Sequence, residues 1–238
     1  MAKTVLICGK LFDGAGDELR GRTEVLIEDD AIAEVSEAVG RPNGARVLDL
    51  SDRTVTPGFI DTHVHLCVNG LNLKQQTLQC SAVKALEGLH LAQQYMRYGF
   101  TTLRDMGTLD PEWPTVNLRD AIDAGLVHGP RLIVAPHMIS ATAGHGDLQG
   151  MFPFSRGILE FQAMVAAGLT ATRALKAATT VAAELLQRDD LGAIAPGKQA
   201  DIVAMPDDPL SDIAATAKVD FVMRAGRVYR HGTYDILQ

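Results

Sequence analysis

Over the first 56 residues, apolar and polar positions alternate in short runs. TVLICGKLF, TEVLIEDD, AIAEVSEA and ARVLDL are separated by Gly, Asp and Asn, which predicts short strands joined by turns. The last 45 or so residues repeat the pattern in ADIVAMP, VDFVMRAG and GRVYRHG, with IAPGK as a turn. Two β-rich segments at opposite ends predict one discontinuous β domain to which both termini contribute. Between them the period changes. From Ser81, apolar side chains recur at Ala82, Leu86, Leu89, Ala92 and Met96, and Gly99 stands where a helix should stop. TTLRDMG then reads as a strand, TVNLRDAIDAG as a short helix ending at Gly125, and PRLIVAP as a further strand. Strands alternating with helices predict an α/β fold with a parallel sheet. After residue 157 the pattern is helical in ILEFQAMVAAG, TATRALKAAT and TVAAELLQ.

Composition narrows the function classes. The chain has 238 residues, 47% of them hydrophobic and 21% charged, which is the balance of a globular protein and not of a disordered one. A net charge of −7, with no Lys/Arg run, argues against nucleic acid as a partner. Cys8, Cys67 and Cys80 are odd in number and form no CxxC pair, so free thiols in a reducing compartment are expected. MAKTVLICGKLFDG has neither the form of a signal peptide nor the length of a membrane span. The expected location is cytoplasmic, with no membrane partner.

TPGFIDTHVHL, residues 56–66, carries the chemistry. Read as one strand, it points His63 and His65 to the same face, with Cβ atoms roughly 7 Å apart. Two imidazoles so placed can converge on one metal ion at about 2.0–2.1 Å. Asp61 shares that face, and either orients a ligating imidazole or ends a buried hydrogen-bond chain.

TPGFIDTHVHL, YGFTTLRDMG, GPRLIVAP followed by TAGHGD, LTATRALKAATTVAAELL and GAIAPGKQADIVAMPDDPLSDI together resemble the amidohydrolase superfamily, in its imidazolonepropionase-like, Xaa-Pro dipeptidase-like branch. The resemblance implies a (β/α) TIM-type barrel bearing a small β-sandwich made from both chain ends. It implies residues 1–56 and 191–238 for the sandwich and 57–190 for the barrel. It also implies metal-dependent hydrolysis of a small-molecule amide or dipeptide, with zinc or another divalent ion held in part by His63 and His65. A complete barrel of this type takes about 250 residues, and only three strand-plus-loop segments are found, at 57–66, 101–107 and 131–136. The barrel is therefore expected to be truncated, with a join near 148–157. The later-strand ligands and general base of the family would then be missing. A catalytically inactive remnant or scaffold is the alternative to an active hydrolase, and a sheet cut in this way is expected to self-associate.

In TAGHGD, Gly144 and Gly146 permit close approach of backbone to ligand, which makes His145 a candidate substrate contact. Asp105, ending LRD, is expected to bind a neighbouring loop amide. His90, His128, His137 and His231 are expected to be structural or solvent-facing, and Cys67 to be a buried thiol. No P-loop, GxSxG or dinucleotide fingerprint occurs.

Overall fold

The computed structural model describes residues 2–68, 79–108, 110–137, 160–166 and 168–237. Within these the chain is α/β, with one mixed and one small sheet and five α-helices among the described residues. It divides into two compact units. One comprises Met1–Ile60, Met96–Thr101 and Ile158–Gln238, and the other Asp61–Tyr95 and Thr102–Gly157.

The first unit is organised by an eight-stranded sheet. From the N-terminal end come β1 (Lys3–Leu11), β2 (Thr23–Glu28), β3 (Ala31–Ser36) and β4 (Arg46–Pro57). From the C-terminal end come β8 (Ile202–Met205), β9 (Phe221–Arg224), β10 (Arg227–His231) and β11 (Tyr234–Asp235). The order is β11-β10-β9-β8-β4-β1-β2-β3. The two ends meet where β4 and β8 pair antiparallel, Thr54 opposite Met205 through Pro57 opposite Ile202. Alternation explains the packing. Leu6 and Cys8 of β1, with Val25 and Ile27 of β2, join the main core, while the intervening Val5 and Leu26 pack with Val39 on the other side. Helices α3 (Glu160–Ala166), α4 (Ala171–Ala177) and α5 (Thr180–Leu185) belong to this unit. Phe161 of α3 meets Phe59 at 5.0 Å between ring centroids, and Ala182 and Ala183 of α5 pack with Ile60 and Leu191.

Residues 56–66 do not form the single strand that their alternation predicts. Thr56 and Pro57 end β4, and a separate strand β5 runs Phe59–Val64 in the smaller sheet. The break falls at Gly58. A Cβ there would lie 2.2 Å from Thr101 Oγ1 and 2.6 Å from Thr101 Cγ2, so only glycine allows the chain to pass.

The smaller sheet has the order β5-β6-β7, with β6 at Phe100–Asp105 and β7 at Arg131–Val134. β6 and β7 are parallel, Leu103 opposite Leu132. Helix α1 (Ser81–Arg97) precedes β6, and α2 (Pro114–Asp123) links β6 to β7. The buried stripe of α1 differs from the predicted one. Ala82 is exposed and Leu86 is 67% exposed, while Lys84, Gly88, Ala92 and Met96 are buried, one turn apart. Two local causes set its first half. An ion pair draws Lys84 inward, and Gly88 lets the helix approach so closely that an added Cβ would stand 2.8 Å from Cys67 Sγ.

Candidate metal-binding site

The site is built at the end of β5. His63 is the last residue but one of that strand and is exposed, whereas His65 lies just past it and is half-buried. Their alternation puts both rings on one side, with centroids 5.5 Å apart and planes at 74°. A divalent ion bound to two imidazoles at about 2.0–2.1 Å, with a tetrahedral angle between them, places ring centroids about 5 Å apart. The pair fits such an ion.

The orientation of His65 is fixed from behind. Its Nδ1 lies 2.9 Å from the carbonyl oxygen of Gly107. A carbonyl only accepts, so Nδ1 carries the proton and Nε2 is left with the lone pair that a metal requires. Backbone carbonyls commonly hold metal-ligating histidines in this way.

Asp105, the last residue of β6, sets both partners of that contact. It is wholly buried, and its two carboxylate oxygens accept from the amides of Leu66 (2.7 Å) and Gly107 (2.8 Å). One acid thereby pins the residue after His65 and the residue whose carbonyl holds it. The expectation of an Asp105–amide bond is met, on two amides. Burial pushes its pKa up to about 6, against the lowering effect of those two N–H groups. Further bonds fasten the same end of the sheet: Met106 N–H donates to the Val64 carbonyl (2.8 Å), and Arg104 Nε to the Thr62 carbonyl (2.7 Å).

Asp61 acts on the backbone beside the pair: its Oδ1 accepts from the backbone N–H of His63 at 2.9 Å, which steadies the strand. Burial raises its pKa, with the His63 N–H and the nearby imidazole opposing. Cys67 is buried, and its thiol is pushed up to about 12, by burial first and then by the Asp105 and Asp110 carboxylates.

His145, with the whole of TAGHGD and the join at 148–157, lies outside the described residues. Among the described residues no group of three or more His, Cys, Asp or Glu side chains could hold a metal ion. His90 is exposed on α1, and His231 lies edge-on to Phe221 at 5.5 Å. His137 was expected to be structural or solvent-facing. It is exposed three residues beyond β7, in a parallel bridge with Thr108, and its Nε2 accepts from Trp113 Nε1 at 2.5 Å.

Around this loop a buried polar knot joins α1 to the β6–α2 connection. Lys84 Nζ meets Asp110 Oδ2 at 2.5 Å, and Asp110 Oδ1 accepts from Ser81 Oγ (2.6 Å) and Glu112 N–H (2.9 Å). Burial alone would raise the Asp110 pKa, but Lys84, Ser81 and the Glu112 amide outweigh it and the net direction is downward.

The sequence profile described as Amidohydrolase family matches residues 54–158 and 147–229. The dihydroorotase of Anaeromyxobacter dehalogenans (strain 2CP-C) is 46% identical over 80 residues, which are 34% of this chain and 18% of that protein. The dihydroorotase of Staphylococcus aureus (strain Mu50 / ATCC 700699) is 26% identical over 132 residues, 56% of this chain and 28% of that protein. The chain thus spans less than a third of the length of either. Among solved structures, a Xaa-Pro dipeptidase with methionine bound in its active site has a TM-score of 0.84 at 19% identity, covering 96% of this chain and 100% of that one. A prolidase complexed with N-methylphosphonate-L-proline has a TM-score of 0.80 at 19% identity, covering 97% and 100%. At these identities the structural likeness is one of fold.

Proposed function

Because this chain belongs to the amidohydrolase family, we propose that it is a metal-dependent hydrolase of carbon–nitrogen bonds whose metal centre starts from His63 and His65. The observation that carries this reading is the ring pair itself: two imidazoles 5.5 Å apart, one of them turned by a backbone carbonyl to present Nε2. A divalent ion held by His63 and His65 would supply a water of lowered pKa and a Lewis acid for the amide carbonyl. The residues of the chain do the positioning. Gly107 fixes the His65 ring, Asp105 fixes Gly107 and the backbone after His65, and the Asp61 carboxylate steadies the strand at His63. In this reading His145 contacts the substrate, and zinc is the resident ion. The three-stranded sheet belongs to a shortened (β/α) barrel over residues 57–190, and residues 1–56 and 191–238 form the accompanying β-sandwich. The two profile matches, which meet at 147–158, support a join near 148–157.

A second reading is favoured by one observation: among the described residues no third ligand accompanies the pair, whereas catalytic zinc usually has three protein ligands. In that reading the chain is a non-catalytic member of its family. One experiment separates the two. Purified full-length protein is supplied with zinc and offered an N-acyl amino acid, a Xaa-Pro dipeptide and dihydroorotate in turn. Turnover that chelator abolishes, and that the His63→Ala/His65→Ala variant lacks, supports the hydrolase. Zinc binding without turnover of any of these supports the non-catalytic member.

A further inference from the structure

Trp113 is built at a cost that packing does not repay. Its backbone is left-handed, at φ 52° and ψ 55°, a region that bulky side chains avoid. It also precedes Pro114, which disfavours every conformation but the extended ones. Yet the side chain so placed is 48% exposed. Strain of this kind persists only where the surroundings impose it, and it gathers at sites that bind or react. The surroundings here are the buried knot. The Trp113 amide donates to the Asp110 carbonyl (3.3 Å), while Lys84, Ser81 and the Glu112 amide hold the Asp110 carboxylate. On the other side the Trp113 carbonyl accepts from Val116 and Asn117, in the first turn of α2.

What the knot presents is an ordered pair of rings. Trp113 and His137 stand edge to face, with centroids 5.9 Å apart and planes at 81°. An indole N–H only donates, so His137 Nε2 is the acceptor and the neutral imidazole carries its proton on Nδ1. The pair therefore offers a flat apolar indole face beside a fixed Nδ1–H donor. It also stands near the metal pair. His137 bridges Thr108, Thr108 follows Gly107, and the Gly107 carbonyl holds His65. One bridge spacing and one chain step amount to roughly 8–12 Å between the His137 backbone and the His65 ring, about the length of an acylated amino acid.

We propose that Trp113 and His137 form a substrate subsite that receives a planar, apolar acyl group through the indole and its carbonyl or carboxylate oxygen through His137 Nδ1–H. This deepens the reading of the chain as a carbon–nitrogen hydrolase by naming the substrate class, N-aroyl amino acids and related amides. The subsite itself needs no metal.

That independence makes the test separable. Trp113 is the chain's single tryptophan, so its emission reports this site alone. Full-length protein in chelator is titrated with N-benzoylglycine and, in parallel, with N-acetylglycine, which keeps the oxygens but lacks the ring. The expected result is saturable quenching by N-benzoylglycine, with N-acetylglycine at least about tenfold weaker. His137→Ala, an exposed change, should weaken N-benzoylglycine about three- to tenfold, the worth of one hydrogen bond. Trp113→Gly, followed by calorimetry, should lose binding yet melt no lower than the parent, because glycine accepts the left-handed backbone. The proposal is overturned by any of three results: no saturable response to millimolar N-benzoylglycine, equal affinity in His137→Ala, or a Trp113→Gly variant that melts lower and so needs the indole for its fold. Failure of zinc binding or turnover would leave these titrations untouched and would count only against the hydrolase reading.

Discussion

Replacing Lys84 by methionine tests whether the buried knot beneath Trp113 holds its loop. Lys84 and Asp110 are 9% and 3% exposed in their side chains and meet at 2.5 Å. Methionine fills much the same volume but leaves the Asp110 carboxylate buried without its cation. Removing one partner of a buried ion pair costs about 3–5 kcal/mol. Ser81 Oγ and the Glu112 amide still donate to Asp110 Oδ1, so the lower end, about 3 kcal/mol, is expected. With a urea slope of about 1–3 kcal/mol/M, the midpoint should fall by about 1–3 M. Unfolding would be followed by far-ultraviolet circular dichroism and by Trp113 emission, and the variant should lose the emission signal first, because the knot anchors that residue. The pH dependence has a definite sign. In the parent the Asp110 pKa is lowered, so its contribution is present above the unfolded value of about 3.9 and is lost as pH falls through the folded one. In Lys84→Met burial is opposed only by Ser81 and the Glu112 amide, so the Asp110 pKa rises above its value in the parent, and the variant takes up its proton earlier on acidification and recovers stability relative to the parent. The gap between the two proteins should therefore narrow from pH 7 towards pH 4. A midpoint unchanged at pH 7, or a gap that does not vary with pH, would refute the reasoning.

Three further outcomes are expected. Gly58→Ala should destabilise by about 1–3 kcal/mol through overpacking against Thr101. Thr101→Ala should partly restore it in thermal melts, since it removes the two nearest atoms and a hydroxyl with no partner among the described residues. Of the three thiols, Cys80 alone is exposed, while Cys8 and Cys67 are buried with pKa values pushed up to about 12. An aromatic disulfide reagent should thus find a single fast thiol in native protein, and fast reaction of Cys67 would contradict the packing beside Gly88. Among the described residues β7 pairs only with β6, and an unpaired strand edge invites association. Sedimentation should show species that grow with concentration; a monomer at high micromolar concentration would count against edge pairing.

Much of this architecture is legible in the sequence because it rests on local alternation. The runs around Leu6, Val25 and Val203 became strands, and the helices after residue 157 fall where their period puts them. What was not legible rests on partners distant in the chain. The break at Gly58 depends on Thr101, and no pattern within residues 56–66 encodes that approach. The stripe predicted for α1 includes apolar Leu86 and omits Lys84, whose burial depends on Asp110, 26 residues on. His63 and His65 are legible in their spacing together with the resemblance of TPGFIDTHVHL, and Asp105 in its place at a strand end. The Gly107 carbonyl that orients His65 has no side-chain signal at all. Trp113–His137 left only a faint trace, an aromatic directly before a helix-starting proline.

The most direct test of the central claim is the metal content of the full chain after chelator treatment and dialysis against zinc, measured beside His63→Ala/His65→Ala. With His65 Nε2 presented and His63 facing it at 5.5 Å between rings, the parent should retain about one ion per chain and the double variant none. A parent that retains no zinc, or a double variant that retains as much as the parent, would contradict the assignment of this pair as the start of a metal centre.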